Sequence, residues 1–149
     1  MSMFSAFNIN ASGMTAQRYR MDVISENVAN ANTTRTADGT PYRRKVVTFA
    51  EKGGQTTFSR VLGQAAYNHG YTGQGVKVDG VYEDYGTEMN MVYDPSHPDA
   101  DENGYVTYPN VNIITEMTNM IDASRAYEAN ATAFNASKSM ALQGLELNG

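Results

Sequence analysis

The chain of 149 residues has no cysteine and no tryptophan, only four prolines and two histidines, and no apolar run near the roughly 20 residues of a membrane span. Each absence closes off a class. Without cysteine there is no disulfide and no thiolate metal site, so the redox compartment stays undetermined. His69 and His97 lie far apart and have no second histidine at ligand spacing, so each reads as a loop residue. Residues 1–9 lack a basic n-region and a sustained apolar stretch, which argues against a cleavable secretory signal. No G-x-S-x-G, P-loop or dinucleotide fingerprint occurs, and Gly73-Gln74-Gly75 is only a turn signal. The apolar share of 41% and a mean hydropathy of −0.48 predict a soluble protein with a modest core: one ordinary domain, or a small one with extensions.

Basic residues are scarce in the second half. Residues 1–77 hold nine Lys/Arg against four Asp/Glu, a net of +5, while residues 78–149 hold two against twelve, a net of −10. Only Arg43-Arg44-Lys45 is a basic cluster, and so acidic a half would repel phosphates, which excludes nucleic acid as the expected partner. Opposite charges on one chain fit an intramolecular or head-to-tail protein contact.

What the chain does have is periodicity at both ends. Taken at helical spacing, residues 112–147 give Ile113, Met117, Met120, Ser124, Tyr127, Ala131, Phe134, Lys138, Ala141 and Leu145. Alternating steps of four and three put these on one face. Asn112 stands at the N-cap position, and Gly144 is the first helix breaker. A helix of that length runs about 50 Å, at roughly 1.5 Å per residue, too long for so small a chain to cover. Near the other end Phe7, Met14, Met21 and Val28 recur every seven residues, with Asn10, Gln17, Ile24 and Ala31 three later. The pattern is a heptad whose second positions are too polar for a stand-alone coiled coil. Two ordinary core helices would give the same stripes. Position favours exposure, because chain ends lose order unless something ties them down.

Between the helices the sequence predicts a small β-rich insert. The first helix is expected to stop near residues 30–33, where short polar side chains compete for the backbone. Residues 33–41 read as a loop with a turn at Asp38-Gly39, followed by a strand over residues 42–49. A short strand over residues 56–62 and a glycine-punctuated stretch to Gly75 follow. Residues 76–82 alternate cleanly, and residues 89–93 are the candidate strand to pair with them. Residues 105–108 lead into the last helix. The expected fold is α+β: long terminal helices in an intra- or intermolecular coiled coil (residues 1–33 and 109–149), with the insert at residues 34–108.

Convergent chemistry is sparse. Asp99-Ala100-Asp101-Glu102-Asn103-Gly104 resembles half a calcium loop, but the twelfth position is Asn110 rather than a bidentate glutamate, and a solvated acidic turn explains the residues as well. Glu83, Asp84 and Glu88 could supply paired carboxylates, yet nothing beside them suggests a cleft. The expectation is therefore no catalysis, no cofactor and no resident metal. Tyrosines at 67, 71, 82, 85 and 93 suit either intersubunit contacts or a small core.

The stretch Ser25-Glu26-Asn27-Val28-Ala29-Asn30-Ala31-Asn32-Thr33 resembles the signature of the axial rod and hook proteins of the bacterial flagellum. So does the other end, with Asn110-Val111-Asn112, Glu116-Met117, Met120-Ile121 and Arg125-Ala126-Tyr127-Glu128-Ala129-Asn130. The short length, residues 93–101 and Gly104-Tyr105-Val106 are most similar to the family's proximal-rod subunits, although the loop over residues 34–41 is longer than usual. The resemblance implies a structural subunit of the proximal rod, in the part of the basal body that crosses the periplasm. It implies terminal helices that line a helical tube around the export channel, and a drive shaft that transmits torque. The implied partners are further copies, other proximal and distal rod subunits, the rod-to-ring adaptor and the type III export apparatus, with no membrane span. On this reading Phe7, Met14, Met21, Val28, Ile113, Met117, Met120, Tyr127 and Phe134 find their cover on assembly, and the helices of a lone subunit are largely disordered. Asn27, Asn30 and Thr33 would end the first helix and bond adjacent chains. The alternatives are a coiled-coil adaptor or export chaperone, which would remain cytosolic, and a calcium-dependent or glycan-cleaving envelope protein.

Overall fold

The computed structural model describes residues 3–53, 62 and 73–146. Helix α1 spans Met3–Ala29, strand β1 Lys45–Glu51, β2 Val76–Glu83, β3 Asn90–Tyr93, β4 Tyr105–Tyr108, and helix α2 Ile113–Glu146. The α+β class predicted from sequence is the class observed. Asn112 caps α2 as its position requires: Oδ1 accepts from Ile114 N and Thr115 N, at 3.0 and 3.1 Å. The strand expected over residues 56–62 lies outside the described residues except for Leu62, which is helical. His69, Tyr67 and Tyr71 lie outside them too.

Pairing of the strands corrects one expectation. Residues 90–93 pair with β4, not β2; β2 pairs with β1. The β3–β4 hairpin is antiparallel, in the register Asn90 to Tyr108 through Tyr93 to Tyr105. The connecting loop fixes that choice. Asp94 Oδ1 accepts from Ser96 N, and Asp101 Oδ1 accepts from both Asn103 N and Tyr105 N, which folds the chain back on itself. Gly104 completes the reversal at φ +81°. The first strand begins at Lys45, three residues later than predicted: Tyr42 N bonds Thr33 O and Arg44 N bonds Asn110 Oδ1 instead of a neighbouring strand.

The chain forms two compact units. One comprises Met1–Arg18, Phe49–Asp79 and Ser124–Gly149. In it the α1 and α2 segments pack antiparallel, with the Phe7 and Phe134 rings edge to face at 5.0 Å. Further along, a Cβ on Gly13 would fall 2.5 Å from Asn130 Oδ1, so glycine permits the close helix approach. Ser12 ties strand to helix: its hydroxyl donates to Ile9 O at 2.7 Å and accepts from Val76 N at 3.1 Å.

The other unit comprises Tyr19–Thr48 and Gly80–Ala123. Val23, Ile24, Ala31, Val106 and Ala123 are buried there, with Val106 and Ala123 at 0% exposure. The Tyr93 and Tyr105 rings stack edge to face at 5.2 Å over the hairpin.

The inward helix faces coincide only in part with the predicted stripes. In α2 the buried or half-buried positions are Glu116, Asn119, Met120, Ala123, Ser124, Ala126, Tyr127, Asn130, Ala131, Phe134, Ser137 and Ala141. Met120, Ser124, Tyr127, Ala131, Phe134 and Ala141 belong to the predicted series, while Ile113, Met117, Lys138 and Leu145 of that series are exposed. In α1 the buried positions are Gly13, Ala16, Val23, Ile24 and Asn27, while Phe7, Met14, Met21 and Val28 are half-buried. Close helix approach selects small and hydrogen-bonded residues for the seam and turns larger apolar groups toward its flanks.

Replacing Gly104 with alanine should cost about 1–2 kcal/mol, because a side chain is strained at that φ and its Cβ would meet the Tyr93 ring at 3.0 Å. Urea denaturation of the variant against the parent chain measures it.

Candidate functional site

The most developed polar arrangement is a buried cluster in the second unit, where the end of α1, the start of β1 and the start of α2 converge. Asn27 is 0% exposed. Its amide nitrogen donates to Lys45 O at 2.8 Å and to Glu116 Oε2 at 2.9 Å. Its amide oxygen accepts from Lys45 N and from the Tyr42 hydroxyl, both at 2.9 Å. Two donors and two acceptor positions are all filled, the full capacity of the side chain.

Glu116 is 1% exposed and balances Arg44. Arg44 Nε and Nη2 both donate to Glu116 Oε1, at 3.0 and 2.8 Å. The fork on one oxygen leaves the other for Asn27, and Asn119 Nδ2 adds a longer bond of 3.3 Å. Arg44 N donates to Asn110 Oδ1 at 2.9 Å, and Asn110 Nδ2 donates to Asp84 O and Thr87 O at 2.9 and 3.1 Å. Asp84 closes the ring, accepting from Arg44 Nη1 at 3.4 Å. A charged pair in the interior needs further hydrogen bonds to offset its desolvation, and Asn27, Asn119 and Asp84 supply them.

Local sequence delivers each member. Asn27 projects from the last turn of α1, after which Asn30 stops the helix: its Nδ2 donates to Glu26 O at 2.9 Å and its Oδ1 accepts from Thr33 Oγ1 at 3.1 Å. Thr33 O then accepts from Tyr42 N at 3.1 Å, so the loop between them returns to its starting point. Glu26 bonds Lys45 Nζ, and that ammonium stands 5.5 Å from the centre of the Tyr42 ring. Burial, followed by the negative charges of Glu26, Glu116 and Glu83, pushes the Tyr42 phenol up to about 12. Hydrogen bonds from Thr87, then from Gly86 and Arg44, hold the Asp84 carboxyl below its ordinary range.

The structure spends the Asn27 side chain wholly within the chain and bonds Asn30 and Thr33 to each other. Phe7 and Phe134 meet each other in the first unit. Met14, Met21, Val28, Met120 and Tyr127 are half-buried. Ile113 and Met117 are open, 43% and 58% exposed. Tyr42, Arg44, Asp84, Asn110 and Glu116 escaped the sequence reading as a site. Glu116 carried a signal: a lone carboxylate four residues after the N-cap, one step off an apolar stripe.

Among the described residues, open surface offers no comparable convergence. Glu83 accepts from the Tyr85 hydroxyl at 2.7 Å, which raises the Tyr85 pKa, while Asp84 closes its own turn. Glu88 takes no part in either. His97 Nδ1 accepts from Asp99 N, and Asp99 faces Thr34 and Arg35 rather than Asp101. Among the described residues no three His, Cys, Asp or Glu side chains are grouped to hold a metal, and no helix is long and apolar enough to cross a membrane.

Helical ends joined to a β insert by a saturated polar cluster define an α+β class of protein held together by internal hydrogen bonds. Comparison with known proteins gives that class its family. The profile described as flagella basal body rod protein matches residues 7–35, which include Asn27. The profile described as flagellar basal body rod FlgEFG protein C-terminal matches residues 102–147, which include Glu116. The chain is 45% identical to the flagellar basal-body rod protein FlgC of Bacillus subtilis (strain 168), over 99% of both chains. It is 46% identical to the protein of that name from Borreliella burgdorferi, over 94% of this chain and 93% of that one. With the one from Salmonella typhimurium the identity is 42%, over 99% and 98%. The chain belongs to the flagellar basal-body rod protein family.

Substituting Asn27 by alanine leaves Glu116 Oε2, the Tyr42 hydroxyl and Lys45 N without partners, at an expected cost of roughly 3–5 kcal/mol in chemical denaturation. Tyr42 provides a pH test. Its folded pKa lies above the ordinary 10, so its contribution is complete below pH 10 and is lost as pH rises toward about 12. The parent chain should lose on the order of 2 kcal/mol more than Tyr42→Phe across that window.

Proposed function

We propose that this rod subunit polymerises through its terminal helices, forming part of the axial shaft that transmits torque and encloses the export channel. The helical ends, residues 1–33 and 109–149, make the assembly core, and the insert at residues 34–108 faces outward toward neighbouring rod components. Further copies, the other proximal and distal rod subunits and the rod-to-ring adaptor are its partners, in the part of the basal body that crosses the periplasm. Delivery through the flagellar type III apparatus belongs to the same reading.

One observation carries the proposal. The first turns of α2 bury Glu116 inward while Ile113, Ile114, Met117 and Ile121 stand 43–78% exposed. A helix that turns a carboxylate in and isoleucines out is arranged for two partners, the polar join within its own chain and an apolar surface beyond it. Covering those four side chains is worth on the order of 1 kcal/mol each. Met140, Leu142 and Leu145, exposed at 52–67% in the other unit, extend the demand to the far end of α2. Heterologous contacts of this kind, repeated by a rotation that does not close, build a filament rather than a ring.

Met117→Asp should change the stability of the isolated subunit by less than about 0.5 kcal/mol, because the site is open. The same substitution should block its entry into the rod. Quantifying the chain in detergent-resistant basal bodies decides the matter: normal occupancy of the variant would mean that the apolar face of α2 is not an assembly surface.

A further inference from the structure

The two units differ in charge. The first holds six basic and four acidic residues, a net of +2, and the second holds five and twelve, a net of −7. On the first, a mainly apolar groove of about 470 Å³ lies between one face of α1 and β2. Ala11, Thr15, Val76 and Val78 line it, with the exposed Lys52 and Lys77. Neither ammonium forms an ion pair among the described residues.

On the second unit the loop over residues 94–104 projects the opposite charge. Asp101 and Glu102 are exposed. The Asp101 Oδ1 atom is taken up by Asn103 N and Tyr105 N, while its second oxygen and the Glu102 carboxylate make no hydrogen bond among the described residues. Pro95 and Pro98, both exposed, give the loop apolar ribs beside those charges. Its Asx turns set its shape in advance, so docking it costs little ordering entropy.

Resting on the reading that the chain polymerises, the geometry points to a head-to-tail contact: the acidic loop of one copy seats in the lysine-walled groove of a second copy. Lys52 and Lys77 meet Asp101 and Glu102, and the proline ribs pack on Val76 and Val78. A second copy is the occupant because the same chain supplies both complementary surfaces, one on each unit. Such a contact joins unlike patches, the kind that repeats into a filament when its rotation does not close. Its charges steer and align the incoming subunit and are weakened by salt.

The absence of native cysteine makes the contact directly testable. A chain carrying Lys77→Cys and Glu102→Cys, expressed in place of the parent and oxidised in purified basal bodies, should give a ladder of disulfide-linked multimers. Its yield should exceed that of a Lys138→Cys/Glu102→Cys chain at least tenfold. Lys52→Glu with Lys77→Glu should lower incorporation at least tenfold, and adding Asp101→Lys with Glu102→Lys to the same chain should restore it. If the chain is present in basal bodies but the ladder is no stronger than the control, or the charge swap fails to restore incorporation, the contact is wrong while the rod reading stands. A parent chain that does not sediment with basal bodies overturns both.

Discussion

The saturated amide of Asn27 is the constraint on which the second unit depends. It joins three segments far apart in sequence: the last turn of α1, the entry to β1 through both main-chain groups of Lys45, and the first turn of α2 through Glu116. In a low-dielectric interior a polar group is favourable only if every bonding position is filled, and costly otherwise. That asymmetry makes the cluster specific. A slip of β1 by one residue would turn the Lys45 amide away from Asn27 and orphan several buried atoms at once. An apolar cluster of the same volume would hold these segments together without dictating their register.

The same join explains the division of labour along α2. The helix must offer Glu116 inward to meet Arg44 and Asn27, so Ile113, Ile114, Met117 and Ile121 are carried to open positions. The polar interior and the apolar exterior are thus two consequences of one helix phase. On the proposed reading of a polymerising subunit, the arrangement lets the chain hold its own register by hydrogen bonds while its larger apolar groups remain for neighbours. Tyr82, Tyr85 and Tyr93, exposed at 55–73%, add amphipathic surface on the insert. Arg43, whose guanidinium lies 4.2 Å from the centre of the Tyr85 ring, keeps one of these rings oriented.

Much of the fold was legible because it rests on local rules. Periodicity marked both helices, Asn112 marked the start of α2, the run of short polar residues marked the end of α1, and alternation marked β2. The stripes were right in period, and most of the predicted α2 positions are covered, but Ile113, Met117, Lys138 and Leu145 stand open while Glu116 is buried. Hydropathy ranks Met117 above Glu116 and Met14 above Gly13, whereas a close helix seam favours small size and completed hydrogen bonds over apolar bulk. The strand partner was missed for a related reason: alternation shows that a segment is a strand, while its partner is chosen by turn geometry, here the Asp94 and Asp101 turns and the positive φ of Gly104.

By itself the sequence determined the α+β class and the two long terminal helices, both written in spacing between near neighbours, where helix and turn physics operate; the family was legible as a resemblance in the residue runs at 25–33 and 110–130. Only the tertiary structure decided that Asn27, Arg44, Asn110 and Glu116 form one cluster, and that Asn27 is used up within the chain. A buried hydrogen-bond network joins atoms from residues up to 89 positions apart. No local pattern records which distant donor will satisfy which acceptor until packing brings them together.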